Sequence, residues 1–155
     1  MPRLFRSAWS EVLIYLFRRP PALQLAALCW RDGSAGREIL LVTSSNGRWI
    51  LPKGWPISGL DGRETALREA WEEAGVRQGI AAALPIASFN CKKINDHGQA
   101  RPCLVQVYPV EVTETVAEYP ESEMRERRWV STSEALELVD EPGLRSLIHG
   151  YAQAA

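Results

Sequence analysis

Residues 61–75, read as DGRETALREAWEEAG, carry the start and stop signals of a helix in one short stretch. Asp61 can accept an orphan N–H of the first turn, Glu64 stands three residues on as a capping box requires, and Gly75 supplies the left-handed stop. The intervening residues 62–74 make a helix about 20 Å long. At about 100° per residue, Glu69, Glu72 and Glu73 fall on one side, while Leu67, Ala70, Trp71 and Ala74 fall on the other. A chain with this helix must bury one face and live with three carboxylates on the other. Like charges at helical spacing cost a few tenths of a kcal/mol per pair, a penalty that a hard cation with oxygen ligands reverses in sign. Arg68, one turn before Glu72, is placed to pair with it and hold it.

Around this helix the chain changes element type repeatedly. Strands are expected over Ala22–Trp30, Glu38–Thr43, Gly79–Asn90, Pro102–Thr113 and Arg127–Val130, with a turn at residues 32–36 and another at Ser44–Gly47. Closing helices are expected over Ser133–Val139 and Gly143–Ala152, the first capped by Ser131, Thr132 or Ser133. Strands and helices mix without a strict βαβ rhythm, which points to an α/β protein of the α+β type with a mixed sheet flanked by helices. Residues 3–19 read as a separate helix with Phe5, Trp9, Leu13 and Leu16 on one stripe. Residues 1–21 are therefore expected to form an N-terminal helical extension and 22–155 the main domain. The stripe suits packing on that domain, a membrane surface or a dimer contact, and the oligomeric state stays open.

The chain has 155 residues and a net charge of −1 from 18 basic and 19 acidic side chains, so no global field is available to hold DNA. A phosphate-binding surface has to be local. Cys29, Cys91 and Cys103 are widely spaced and form no CxxC pair, which argues against a disulfide framework and a zinc cage and favours a reducing, cytoplasmic setting. The apolar run Val12–Phe17 is far shorter than the roughly 20 residues a transmembrane helix needs, and Arg18-Arg19 with no small-residue cleavage site are wrong flanks for a signal peptide.

The segment before the helix, Leu51-Pro52-Lys53-Gly54-Trp55-Pro56, sets a lysine and a glycine in a stiff turn after a strand. Gly54 and the run Arg68-Glu69-Ala70-Trp71-Glu72-Glu73-Ala74-Gly75-Val76 together resemble the box of the Nudix hydrolases. Eight of the nine defining positions match in identity and spacing. The ninth, where the family has its first Glu, is Leu60; in the family that Glu helps brace the loop and helix, and Asp61 is the neighbouring candidate to replace it, on an adjacent position that points elsewhere. Gly47–Gly54 and Arg125–Val130 followed by Ser133-Glu134-Ala135 resemble the flanks of the dinucleoside-polyphosphate and diphosphoinositol-polyphosphate branch.

The resemblance implies a Nudix-like α/β/α sandwich over roughly residues 22–150 and hydrolysis of a diphosphate linkage in a small phosphorylated substrate. It also implies Mg²⁺ as cofactor, with Mn²⁺ as the alternative. Glu69 and Glu73 are the implied principal metal ligands, Glu72 a ligand or the base that orients water, Arg68 its partner, and the Gly54 carbonyl a further ligand. One of Glu121, Glu123 and Glu126 is implied to join them, with Glu123 favoured. Lys53 would meet a phosphate. Lys92, Lys93 and Arg101 flank the Asn95–Gly98 turn, where they either bind a highly charged ligand or form a solvated hairpin tip. Trp55 either stacks on a nucleobase or packs; Trp49, Trp71 and Trp129 are expected in the core, His97 in a turn, and Cys91 and Cys103 buried in strands. A non-catalytic Nudix-like binding module, for which Leu60 speaks, and hydrolysis of nucleotide sugars or nucleoside triphosphates are the alternatives.

Overall fold

The computed structural model describes residues 20–154. The expected helix over residues 3–19 lies outside them. In chain order the elements are β1 (Ala22–Gly33), β2 (Gly36–Thr43), β3 (Trp49–Ile50), β4 (Lys53–Gly54), α1 (Gly62–Ala74), β5 (Val76–Ala81), β6 (Ala87–Ile94), β7 (Ala100–Thr115), β8 (Arg127–Ser131), α2 (Thr132–Leu138) and α3 (Pro142–Ala154).

The two longest strands, β1 and β7, form the centre as a parallel pair from Ala22↔Cys103 to Trp30↔Glu111. Every other pairing is antiparallel, so the sheet is mixed as expected. Strand β1 is shared along its second edge: its last residues pair with β2, and Leu25 and Ala26 pair with Gly54 and Lys53 of β4. The segment before α1 is thus stitched to the middle of the sheet.

Residues 79–90, expected as one strand, are split between β5 and β6, which occupy successive stretches of one edge of β7. The break falls at Pro109. Its carbonyl accepts from Ala82 N–H at 2.9 Å, so its nitrogen faces the same edge, and that nitrogen carries no hydrogen to continue the ladder. The chain leaves at Ala82 and rejoins where Ile86 N–H donates to the Val107 carbonyl.

Strand alternation sends β1 and β7 side chains to both faces. Ala26, Leu28, Val105 and Val107 meet Leu144 and Ile148 of α3 in one layer, and Leu25, Ala27, Cys29 and Val110 meet Ala66, Ala70 and Ala74 of α1 in the other. These are the three layers of an α/β/α sandwich. The expected division of tryptophans needs correction: Trp49, Trp71 and Trp129 are only half-buried. Trp49 and Trp129 lie at the rim under Arg128 and Arg31, whose guanidinium carbons sit 4.9 and 4.2 Å from the ring centroids.

Candidate active site

Both ends of α1 are fixed. The Asp61 carboxylate accepts from Glu64 N–H at 2.8 Å and the Glu64 carboxylate accepts from Asp61 N–H at 2.8 Å, completing the capping box. Asp61 is committed to this cap. At the other end Gly75 takes φ +67°, and the Arg127 guanidinium donates to the Ala74 and Val116 carbonyls, both at 2.8 Å. No basic residue lies in the last turn of the helix itself. Arg127, from β8, supplies the positive charge that the helix C-terminus favours.

The carboxylates of α1 differ sharply. Glu73 is 6% exposed and belongs to the interior, which corrects the picture of one uniformly outward acidic face. Its two oxygens accept from Lys53 N–H at 3.2 Å and from the Arg125 guanidinium at 3.0 Å. Arg125 also donates to the Thr43 carbonyl at 2.8 Å and to the Glu121 carboxylate at 3.3 Å, tying α1 to β2 and to the segment before β8. Burial pushes Glu73 up to about 7, outweighing the downward pull of Arg125 and of the Lys53 N–H. Burial, followed by the charges of Glu72 and Glu121, also raises Glu69. Glu69 lies so close over Gly54 that a Cβ there would fall on its carboxylate. Glu72 is half-buried and pairs with Arg68 at 3.9 Å, as the spacing predicts.

Lys53 turns its two ends to different partners. Its backbone holds Glu73, while its Nζ donates to Gln24 Oε1 at 3.3 Å on the other face of the sheet. Burial, then the charge of Lys93, lowers its pKa. Lys93 Nζ lies 5.3 Å from the centroid of the half-exposed Trp55 ring. A cavity of about 290 Å³ opens beside them, lined by Lys53, Lys92, Lys93, Arg48 and Asn46 among others. Arg101 is exposed and directly opposite Lys93 across the hairpin.

Of the three acidic candidates before β8, Glu121 is the one brought to the site: it shares Arg125 with Glu73, and its N–H donates to the Glu72 carbonyl at 3.0 Å. The favoured Glu123 is exposed, and its side chain makes no hydrogen bond or ion pair among the described residues. The segment folds back on α1 through Glu121, which turns Glu123 outward. Leu60 lines a groove with Leu67 and Trp71, on the flank of α1 away from Glu69 and Glu73. His97 is exposed in the β6–β7 turn, where Asn95 Oδ1 accepts from the N–H groups of His97 and Gln99. Sequence patterns give neither Gln24 nor Arg125 a role in the site. Gln24 gives a usable signal, a polar side chain inside an otherwise apolar strand; Arg125 opens the flank Arg125–Val130, but its bond to Glu73, 52 residues away, has no local sign.

The model of the NUDIX domain matches residues 22–151. The chain belongs to the Nudix hydrolase family. It is 34% identical over 119 residues to "Nudix hydrolase 16, mitochondrial" of Arabidopsis thaliana, a match covering 75% of this chain and 66% of that protein. Identity to human "Diphosphoinositol polyphosphate phosphohydrolase 3-beta" is 32% over 118 residues, covering 74% and 66%. The chain thus spans just under two thirds of the length of these relatives. Among solved structures, a binary complex of the C. elegans Ap4A hydrolase superposes with a TM-score of 0.63 at 19% identity, covering 85% of this chain and 96% of that one, a likeness of fold. Among the described residues no helix is long and apolar enough to cross a membrane.

The donor set suits a hard divalent cation. Glu69, Glu72, Glu73 and Glu121 are oxygen donors, the neighbouring carboxylates add to the raised proton affinity of Glu69 and Glu73, and Gly54 gives up a side chain to admit Glu69. In the described residues no three acidic, histidine or cysteine side chains yet converge on one point. Glu73 is turned into Arg125 instead.

Proposed function

We propose that this Nudix chain is a Mg²⁺-dependent phosphoanhydride hydrolase acting on a dinucleoside polyphosphate or a diphosphoinositol polyphosphate, with Mn²⁺ as an alternative ion. The observation that carries this reading is the single short strand β4. Its residue Gly54 fits Glu69, the N–H of Lys53 fixes Glu73, and the side chain of Lys53 points to a cavity bordered by Lys92 and Lys93. The acidic and the cationic halves of the site therefore meet at one dipeptide.

A bridging diphosphate repels hydroxide through its own charge, so the site must neutralise that charge and hold a water in line. Bound Mg²⁺ supplies Lewis acidity and a water of lowered pKa. Glu69, Glu73 and the Gly54 carbonyl would hold it, joined by Glu121 rather than Glu123. Glu72, steadied by Arg68, either joins them or takes the proton of the attacking water. Lys53 and Lys93 would bind the phosphate chain, and Trp55, half-exposed beside Lys93, offers a face for a base or ring. The branch is supported by the 32% identity to the human diphosphoinositol polyphosphate phosphohydrolase and by the cluster of cations. The cytoplasmic assignment rests on the three free cysteines.

The deciding experiment incubates purified protein and Mg²⁺ with dinucleoside polyphosphates, diphosphoinositol polyphosphates, nucleotide sugars and nucleoside triphosphates, and measures product release. Turnover highest on the first two classes is expected. Turnover confined to the last two would overturn the substrate class, and tight binding without turnover would make the chain a binding module.

A further inference from the structure

Cys91 and Cys103 face each other directly across the β6–β7 hairpin. Opposed antiparallel residues have Cα atoms about 4.5 or 5.5 Å apart, and a disulfide spans roughly 4.4–6.8 Å, so the two cysteines are within bonding reach of each other. Both thiols are free, and both line one open cavity with Asn90, Lys92, Ala100 and Pro102, which gives a small reagent a way in. Cys103 is 1% exposed whereas Cys91 is only half-buried, so Cys91 is placed to attack and Cys103 to resolve. Cys103 Sγ donates at 3.5 Å to Gln24 Oε1, the same oxygen that accepts from Lys53 Nζ.

We propose that Cys91 and Cys103 form a reversible disulfide under a low-molecular-weight disulfide oxidant, a modification site coupled to the substrate cavity through Gln24 and Lys53. The Cys91 thiolate attacks one sulfur of glutathione disulfide and releases one glutathione thiolate. The Cys103 thiolate then attacks the Cys91 sulfur of the mixed disulfide and releases the second. Two protein thiols lose two electrons and two protons in all, and one glutathione disulfide becomes two glutathione molecules. Oxidation removes the S–H that Cys103 offers to Gln24 and leaves Lys53 as the remaining side-chain donor to that oxygen. It also pins the hairpin that carries Lys92, Lys93 and Arg101. Burial, with the Cys103 thiol next, pushes the Cys91 thiol up to about 12, so exchange is slow and the reaction is followed to equilibrium.

The test equilibrates the full chain with glutathione disulfide, blocks residual thiols and maps peptides by mass spectrometry without reductant. The expected product is a peptide cross-linked between Cys91 and Cys103, two hydrogens lighter, reversed by dithiothreitol and absent in Cys91→Ser. The buried Cys29 stays free and serves as the internal control. A stable glutathione adduct on Cys91 with Cys103 still free would overturn the proposal, as would two free thiols at equilibrium. The readout is a mass, so it stands or falls separately from the proposed hydrolysis. In the oxidised protein the melting temperature rises by several degrees, because the closed loop restrains the unfolded chain.

Discussion

Glu73 and Leu60 behave differently from what their positions in the box alone suggest. Glu73 is buried between Lys53 N–H and Arg125, so Glu73→Gln keeps its shape but removes the charge that both donors and a cation require. A loss of about 10²–10⁴ in kcat is expected, with the folded spectrum retained; kcat unchanged at saturating Mg²⁺ would remove Glu73 from the site. Leu60→Glu, by contrast, places a carboxylate in the groove beside Leu67 and Trp71. No gain in kcat or Mg²⁺ affinity is expected, together with a slightly lower melting temperature. A rise in activity would mean that the loop lacks a brace. Arg125 does brace the site, holding Glu73, Glu121 and the Thr43 carbonyl at once. Above pH 7, where Glu73 is ionised, Arg125→Ala leaves it buried without its ionic partner and should cost about 3–5 kcal/mol of stability by denaturant melts. A cost below about 1 kcal/mol would show that Glu73 is held from the Lys53 side alone.

At the scale of elements, α1 was legible to the residue because its capping box, periodic faces and terminal glycine are all local signals. Asp61→Ala should cost about 1 kcal/mol in a chemical melt, and full retention of stability would mean that the box is not formed in solution. The β5–β6 division had one local signal, Pro85, which lies in the break between Ala81 and Ala87 and has no N–H for a ladder. Its other cause, Pro109 on the facing strand, is invisible within residues 79–90. The same reason hid Arg125 and Arg127, whose partners are 52 and 53 residues away. Gly54 was legible as a box residue, but its physical duty emerged only from the approach of Glu69. Sequence patterns therefore revealed which side chains meet within an element, whereas the fold alone revealed which ones arrive from elsewhere.

For the whole molecule, the raised pKa of Glu73 ties folding to pH and to cation binding. An isolated Glu begins at 4.5 and reaches about 7 in the folded chain. Between those values the native state holds a proton that the unfolded state has released, so the unfolded state binds fewer protons. Stability of the cation-free protein then falls as pH rises through that window, and levels off above it. Glu69, raised as well, acts in the same direction. The decrease is on the order of 2 kcal/mol, since each tenfold gain in proton affinity corresponds to about 1.4 kcal/mol and side-chain relaxation takes back part of it. On the proposed function Mg²⁺ would bind the ionised carboxylates of the native state, so added Mg²⁺ should recover stability above pH 7 and have little effect near pH 5. Thermal melts in chelator and in excess Mg²⁺, run from pH 5 to 8, separate the two curves. Parallel curves with no divergence toward high pH would show that Glu73 stays ionised against Arg125 throughout and that its burial carries no proton.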